Sequence, residues 1–193
     1  MSKAYLGLGA NLGDPREALR RAVDEIVRAG PRLTAESSVY RSPAEDFTDQ
    51  PDFLNQVIEI ETDLSPVSLL GLCLEVEDRM GRRRTVPKGP RTIDLDLLLY
   101  ESISCRTDQL ILPHPAMHRR GFVLVPLCEI SPEAMHPVIR RTAGQLLEEL
   151  GDRRRSVIRL YDPAGNCRDR GQARFPARRE PQIPGVDPEI PFG

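Results

Sequence analysis

The sequence contains no tryptophan, and aromatic residues make up only 5% of it. That is a poor supply of the stacking rings on which sheet-based RNA binders rely. Charge of one sign is also missing. Lys and Arg number 27 against 29 Asp and Glu, a formal charge of −2, which argues against a blanket nucleic-acid binder. No apolar run approaches the roughly 18 residues of a membrane span; Leu97–Tyr100 is typical of the longest. Met1–Tyr5 lacks the apolar core of a signal peptide. Cys73, Cys105, Cys128 and Cys167 are scattered with no Cys-x-x-Cys pair, so neither a disulfide framework nor a zinc ribbon is expected. Reduced thiols in a cytoplasmic protein are the expectation. What remains is an ordinary globular composition, 39% hydrophobic and 29% charged over 193 residues, enough for one well-cored domain. Proline, at 18 residues, is abundant.

Ala4, Leu6 and Leu8 alternate with Tyr5, Gly7 and Gly9, as in a strand. Asp14-Pro15-Arg16-Glu17 is a helix start, with Asp14 as cap, and Gly30-Pro31 is its stop. Thr34–Tyr40 and Phe53–Thr62 read as strands on either side of a loop at 42–51. Ser65-Pro66 opens a second helix with an apolar stripe of Leu69, Leu70, Cys73, Val76 and Met80, ended by Gly81. Residues 82–90 form a basic loop, Thr92–Tyr100 a strand, and a shorter irregular region precedes a helix at about 142–150 capped by Thr142 and Gln145. Strand, helix, strand, strand, helix, strand is the split βαβ order of ferredoxin-like α+β folds. The expected fold is an antiparallel sheet with helices on one face, plus short C-terminal helices. The domain is expected to span residues 1–161. Residues 162–193, rich in Pro, Arg and Gly, are expected to be a disordered tail.

The chemistry concentrates in Gly89–Tyr100. On a strand, Ile93, Leu95, Leu97 and Leu99 share one face, while Asp94 and Asp96 share the other with Cα atoms roughly 7 Å apart. Such a pair taken alone is more often a solvated surface feature. Two hard carboxylates beside a phosphate substrate, however, form the usual Mg²⁺ ligand set, and two ions can sit between them. Arg82, Arg83, Arg84, Lys88 and Arg91 lie just before the acids, and guanidinium forks suit phosphate oxygens. Gly81 and Gly89 can serve as hinges of a closing loop. His114 and His118 are four apart, but Pro115 breaks the helix a zinc pair would need, and His114 and Arg120 are better read as phosphate donors. Asn11, in a glycine-rich strand-to-helix turn, is a candidate ligand contact. Asn55 carries two donors and an acceptor suited to the edge of a planar heterocycle, with Phe53 and Phe122 available to stack on its face.

Gly89–Leu99 (GPRTIDLDLLL), Leu112–Leu127 (LPHPAMHRRGFVLVPL) and Gln50–Asn55 (QPDFLN) together resemble the 6-hydroxymethyl-7,8-dihydropterin pyrophosphokinases of folate biosynthesis, from about Ala4 to Leu150. The resemblance implies a ferredoxin-like α+β fold and transfer of the terminal pyrophosphate of ATP to the pterin hydroxymethyl group, releasing AMP. It implies two Mg²⁺ ions held by Asp94 and Asp96. Arg82, Arg84, Arg91, His114 and Arg120 would serve the ATP site, with Glu77 nearby and Leu97 by the adenine. Ser42, Pro43, Phe53, Asn55 and Phe122 would form the pterin pocket. Arg82, Arg91, Asp94 and Asp96 would be the catalytic group. The implied partners are the two small-molecule substrates alone, with no nucleic acid, no membrane and a monomeric enzyme. Ala10, Glu45-Asp46, Lys88, Gln109 and Ile111 depart from the pattern of many members. Two other readings stay open on the residues themselves. One is a Mg²⁺-dependent phosphate hydrolase. The other is a non-catalytic nucleotide- or RNA-binding module, although Asp94 and Asp96 would repel nucleic acid.

Overall fold

Both proline-led helix starts are used. In the computed structural model, which describes residues 1–44, 50–82 and 89–161, strand β1 (Ser2–Ala10) leads into helix α1 (Pro15–Arg28). Asp14 caps α1 by accepting from the Glu17 backbone N–H at 3.1 Å. Strands β2 (Arg32–Glu36), β3 (Val39–Ser42) and β4 (Phe53–Thr62) precede helix α2 (Pro66–Arg79), which Ser65 caps through the Ser68 N–H. Strand β5 (Asp94–Tyr100) follows. Short strands β6 (Cys105–Arg106) and β7 (Ile111–Leu112) pair with each other, then come α3 (Gly121–Ile130), the paired β8 (Met135–His136) and β9 (Arg141–Thr142), α4 (Ala143–Glu149) and β10 (Ile158–Tyr161). Thr142 and Gln145 form the expected capping box at α4. The expected tail, residues 162–193, lies outside the described residues, as do Arg84, Lys88 and Glu45-Asp46.

The main sheet is antiparallel throughout, in the order β10-β3-β4-β1-β5, with β2 also on β4. Two expectations about it need correction. The strand expected over Thr34–Tyr40 is broken at the buried Ser37 and Ser38, although the Ser37 N–H still donates to the Val57 carbonyl at 2.9 Å. Ser37 Oγ accepts from the Val57 N–H at 3.0 Å, and the Ser38 N–H donates to Glu129 at 2.7 Å. Serine hydroxyls competing for backbone groups are what interrupts a strand here. Strand β5 also changes phase. Leu6 faces Leu97 but Tyr5 faces Leu99, so Leu98 is an extra residue. Ile93, Leu95 and Leu97 stay in the core beneath α1 and α2, whereas Leu99 joins Leu98 on the opposite face and Tyr100 takes the place expected of Leu99.

Helices cover both faces rather than one. Helices α1 and α2 pack on one side through Leu19, Ile26, Leu69 and Val76. Helices α3 and α4 pack on the other, where Leu127 meets Tyr5 and Val57, and Leu124 meets Tyr40, Leu146 and Leu147. Helix α3 falls in the region expected to be irregular. Pro126 sits inside it, and Val123 to Leu127 are all buried, so its sequence shows neither an amphipathic stripe nor an uninterrupted run. It covers only part of its face, and the end of the sheet beyond its first turn is left for the site.

Candidate active site

The part of the α3-side face left open is a cavity of about 300 Å³. Gly7 and Gly9 of β1 form part of its floor. A Cβ on Gly9 would come into ordinary van der Waals contact with Asn55 Oδ1, at 3.5 Å. Strand β4 carries Phe53 and Asn55 into the cavity, and β3 and the following loop carry Ser42 and Pro43. Phe122, at the start of α3, completes this wall. Asn55 is 5% exposed, and its Nδ2 donates to Ser42 Oγ at 3.0 Å, which orients the amide. The guanidinium carbons of Arg91 and Arg120 lie 5.4 Å and 5.5 Å from the ring centroids of Phe53 and Phe122.

Strand β5 supplies the acids. Asp94 and Asp96 both line the cavity, as do Arg82, Arg91, His114 and Arg120. Asp94 is paired with Arg91 and, at 2.6 Å, with Arg82. Asp96 has a looser surround. His114 Nε2 lies 3.9 Å from Asp96 Oδ2, beyond hydrogen-bond range. Burial in the cleft, and then the Asp94 charge, push the Asp96 carboxyl above its ordinary range. Burial also lowers the His114 imidazole, against the pull of Asp96. His114 Nδ1 accepts from the Ala116 N–H at 3.2 Å, so a neutral ring carries its proton on Nε2, toward Asp96. A second cavity of about 280 Å³ opens on the other side of this pair, lined by Leu70, Leu97, Gln109 and Ile111 among others. Asp96 and His114 line both cavities and so stand between them.

Of the residues expected at the site, Ser42, Pro43, Phe53, Asn55, Arg82, Arg91, Asp94, Asp96, His114, Arg120 and Phe122 converge on the first cavity. Leu97 lines the second one instead. Glu77 lines neither; it is buried on α2 with its carboxylate on Arg82 and on the Leu95 N–H. Asn11 is a brace, not a cavity residue. Its Oδ1 accepts from the Arg91 N–H at 2.8 Å, and its Nδ2 donates to Gln50 Oε1 and the Pro51 carbonyl, both at 3.0 Å. Sequence reasoning missed Val123 and Leu98, although alternation along β5 puts Leu98 on the face of Asp94 and Asp96 and was the signal available for it. The donor set suits a hard divalent cation. Among the described residues there is no cluster of three or more His, Cys, Asp or Glu able to hold a metal, so any ion here must take phosphate or water as further ligands.

A family model described as 7,8-dihydro-6-hydroxymethylpterin-pyrophosphokinase (HPPK) matches residues 5–132. The chain belongs to this family. A 2-amino-4-hydroxy-6-hydroxymethyldihydropteridine pyrophosphokinase of Methylorubrum extorquens is 46% identical over 134 residues, covering 69% of this chain and 85% of that protein. The folic acid synthesis protein fol1 of Schizosaccharomyces pombe is 39% identical over 164 residues, and the match takes in 84% of this chain but 22% of that much longer protein. Among solved structures, wild-type Plasmodium falciparum HPPK-DHPS with pteroate superposes with a TM-score of 0.65 at 14% identity, covering 83% of this chain and 46% of that one. That likeness concerns the fold. An HPPK module thus exists both nearly alone and inside longer chains. The region after residue 132 is outside the family match, yet α4 and β10 pack against the α3 and β3 that frame the site.

Proposed function

We propose that this HPPK-family chain transfers the pyrophosphoryl group of ATP to the hydroxymethyl oxygen of 6-hydroxymethyl-7,8-dihydropterin, releasing AMP. The observation that carries the reading is the meeting, in one cavity, of a paired-carboxylate strand, an arginine set and an amide flanked by two phenylalanine rings. Asn55, oriented by Ser42, would read the hydrogen-bonding edge of the pterin, and Phe53 and Phe122 would hold its faces. The nucleotide would lie along the second cavity by Leu97, with its phosphates reaching Asp96 and His114 between the two. Asp94 and Asp96 would hold Mg²⁺, two ions in our reading, which supply charge neutralisation on the phosphates and acidify the attacking hydroxyl.

Positioning and charge do most of the work in such a transfer. The pterin pocket orients the hydroxyl oxygen toward the phosphorus it attacks. Arg82 and Arg91, held beside Asp94 on its cavity side, are placed to take negative charge as the bond to the leaving phosphate lengthens. His114 offers its Nε2 proton, and Arg120 its guanidinium, to phosphate oxygens. We expect no obligatory side-chain base: Asp96 and His114 are assigned to the metal and the phosphates, and the hydroxyl proton leaves to solvent or to a phosphate oxygen. Arg84 belongs to this set by sequence.

We also read the sheet as ferredoxin-like. With β2 and β3 counted as one broken strand, the order is second-third-first-fourth, and the helices follow the first and third strands. We expect the enzyme to act as a monomer. Cys73, Cys105 and Cys128 are free thiols, and no described helix is long and apolar enough to cross a membrane.

The deciding experiment mixes the protein with Mg²⁺, ATP and the hydroxymethyl-dihydropterin and follows AMP. AMP formed only with pterin present supports the reading. ADP or phosphate release without pterin would establish the hydrolase instead.

A further inference from the structure

Glu77 has no place in the chemistry above, yet it is a carboxylate at 3% exposure on the concealed side of α2. Burying a charge there is costly unless its partners are good. Its partners are informative. Glu77 Oε1 accepts from the Leu95 backbone N–H at 2.7 Å, and the same oxygen pairs with Arg82. Leu95 lies between the two acids. Strand β5 is the last strand of its sheet, bonded to β1 on one side only, so groups on its open side need partners from elsewhere. Glu77 supplies one at Leu95. The His114 N–H supplies another at the Leu98 carbonyl, at 2.9 Å. The open edge of the acid-bearing strand is thus pinned at two points, one on each side of Asp96. Arg82, in turn, bridges Glu77 and Asp94, so a helix residue, a loop residue and a strand acid form one chain of contacts.

We propose that Glu77 is a positioning residue for the metal strand. It fixes the β5 backbone at Leu95, so that Asp94 and Asp96 keep a fixed separation, and it latches Arg82 beside Asp94 without itself touching substrate. This rests on the reading that the two acids hold Mg²⁺.

The test uses Glu77→Leu and Glu77→Gln in the full chain. Mn²⁺ binding is followed by electron paramagnetic resonance with an ATP analogue whose α–β bridge is methylene, alongside kcat and the pterin KM. Outer-shell partners of metal ligands typically matter about 10–100-fold, so Glu77→Leu is expected to weaken Mn²⁺ binding at least about tenfold. It should lower kcat while leaving the pterin KM nearly unchanged. Glu77→Gln keeps an oxygen for the Leu95 N–H but loses the charge for Arg82. It should restore most of the Mn²⁺ affinity while kcat stays low. A Glu77→Leu protein with wild-type near-ultraviolet circular dichroism and wild-type Mn²⁺ affinity would overturn the proposal. So would Glu77→Gln binding Mn²⁺ as poorly as Glu77→Leu. Should Glu77→Leu not fold, Glu77→Gln in combination with Arg82→Ala decides. Loss of the latch predicts that the double variant has the kcat of Arg82→Ala alone, and additive losses refute it. If the wild type forms no AMP, the pyrophosphokinase reading fails while the Mn²⁺ comparison still decides the role of Glu77.

Discussion

Two carboxylates on the same face of the sheet have opposite surroundings. Glu59, on β4, accepts from the Tyr5 hydroxyl at 2.8 Å and the Thr34 hydroxyl at 2.8 Å, and pairs with Lys3 at 3.1 Å. Burial works against its charge, but these donors outweigh it and hold the carboxyl below its ordinary range. Tyr5, which also meets Ser131, is itself pushed up to about 12, chiefly by burial. Asp96, at the other end of the face, has a second acid two residues away and no hydrogen-bond donor within reach in its recorded ion pair. Its carboxyl is held above the ordinary range. The same residue chemistry is structural where both oxygens are met by donors and functional where the charge is only partly compensated.

Removing the poorly compensated charge should have the largest effect. Asp96→Ala is expected to abolish AMP formation nearly completely, by at least about a thousandfold if it removes a metal ligand and the charge stabilisation that depends on it. The fold should be retained, as judged by circular dichroism. Arg82→Ala is expected to be the next most damaging. It should lower kcat about 100–1,000-fold, in the range of a single lost transition-state donor, with a much smaller change in the pterin KM. Steady-state kinetics separate the two, and a pure rise in pterin KM would remove Arg82 from the catalytic group.

The contrast explains what could be read from the chain. Alternation in Thr92–Tyr100 was enough to place Asp94 and Asp96 together and to bury Leu95 and Leu97. It failed at Leu99 and Tyr100, because the bulge at Leu98 is decided by pairing with β1 and leaves no mark in a strand's own pattern. Helix α3 was hidden for a related reason: a helix buried on nearly all sides, with Pro126 within it, has no periodic polar face to betray it. Asn11 was read as a candidate ligand contact because polarity near a motif looks alike whether it faces substrate or braces backbone, and Glu77 was placed by the ATP site through the family resemblance alone. Only their partners, Arg91, Gln50 and Pro51 for one and Leu95 and Arg82 for the other, tell the cases apart.

At the compensated end, Glu59→Ala should affect stability and spare chemistry. It removes the carboxylate that accepts from the Tyr5 and Thr34 hydroxyls, leaving them Ser131 Oγ and the residue-59 carbonyl, and it leaves Lys3 without its pair, at an expected cost of about 1–3 kcal/mol. For a domain of this size that corresponds to a fall in Tm of about 3–10 °C. Turnover per folded molecule should match wild type. Because the Glu59 carboxyl is depressed in the folded state, its contribution is present above the ordinary glutamate range and fades as pH falls through the depressed value. The stability difference between wild type and Glu59→Ala should shrink in the same direction. Urea titrations at neutral and acid pH check both statements, and a pH-independent difference would show the donors to be unimportant to the charged form.

The smallest expected effect has the opposite sign. The Asp96 carboxyl is raised by burial and by Asp94, so its ionised form is disfavoured in the folded state. A group raised in this way favours folding below its unfolded value and loses that advantage as pH rises through the folded one. Once ionised, the wild type therefore carries a poorly compensated charge that Asp96→Asn lacks. The variant should be inactive yet slightly more thermostable in metal-free buffer, with a modest gain in Tm. Below the ordinary aspartate range both proteins carry a neutral side chain at this position, and the gain should vanish. Adding Mg²⁺ and nucleotide should reverse the order, because ligand binding stabilises only the protein able to bind. A variant no more stable than wild type at neutral pH without metal would mean that Asp96 is as well compensated as Glu59, and the two ends of the face would then differ in location alone.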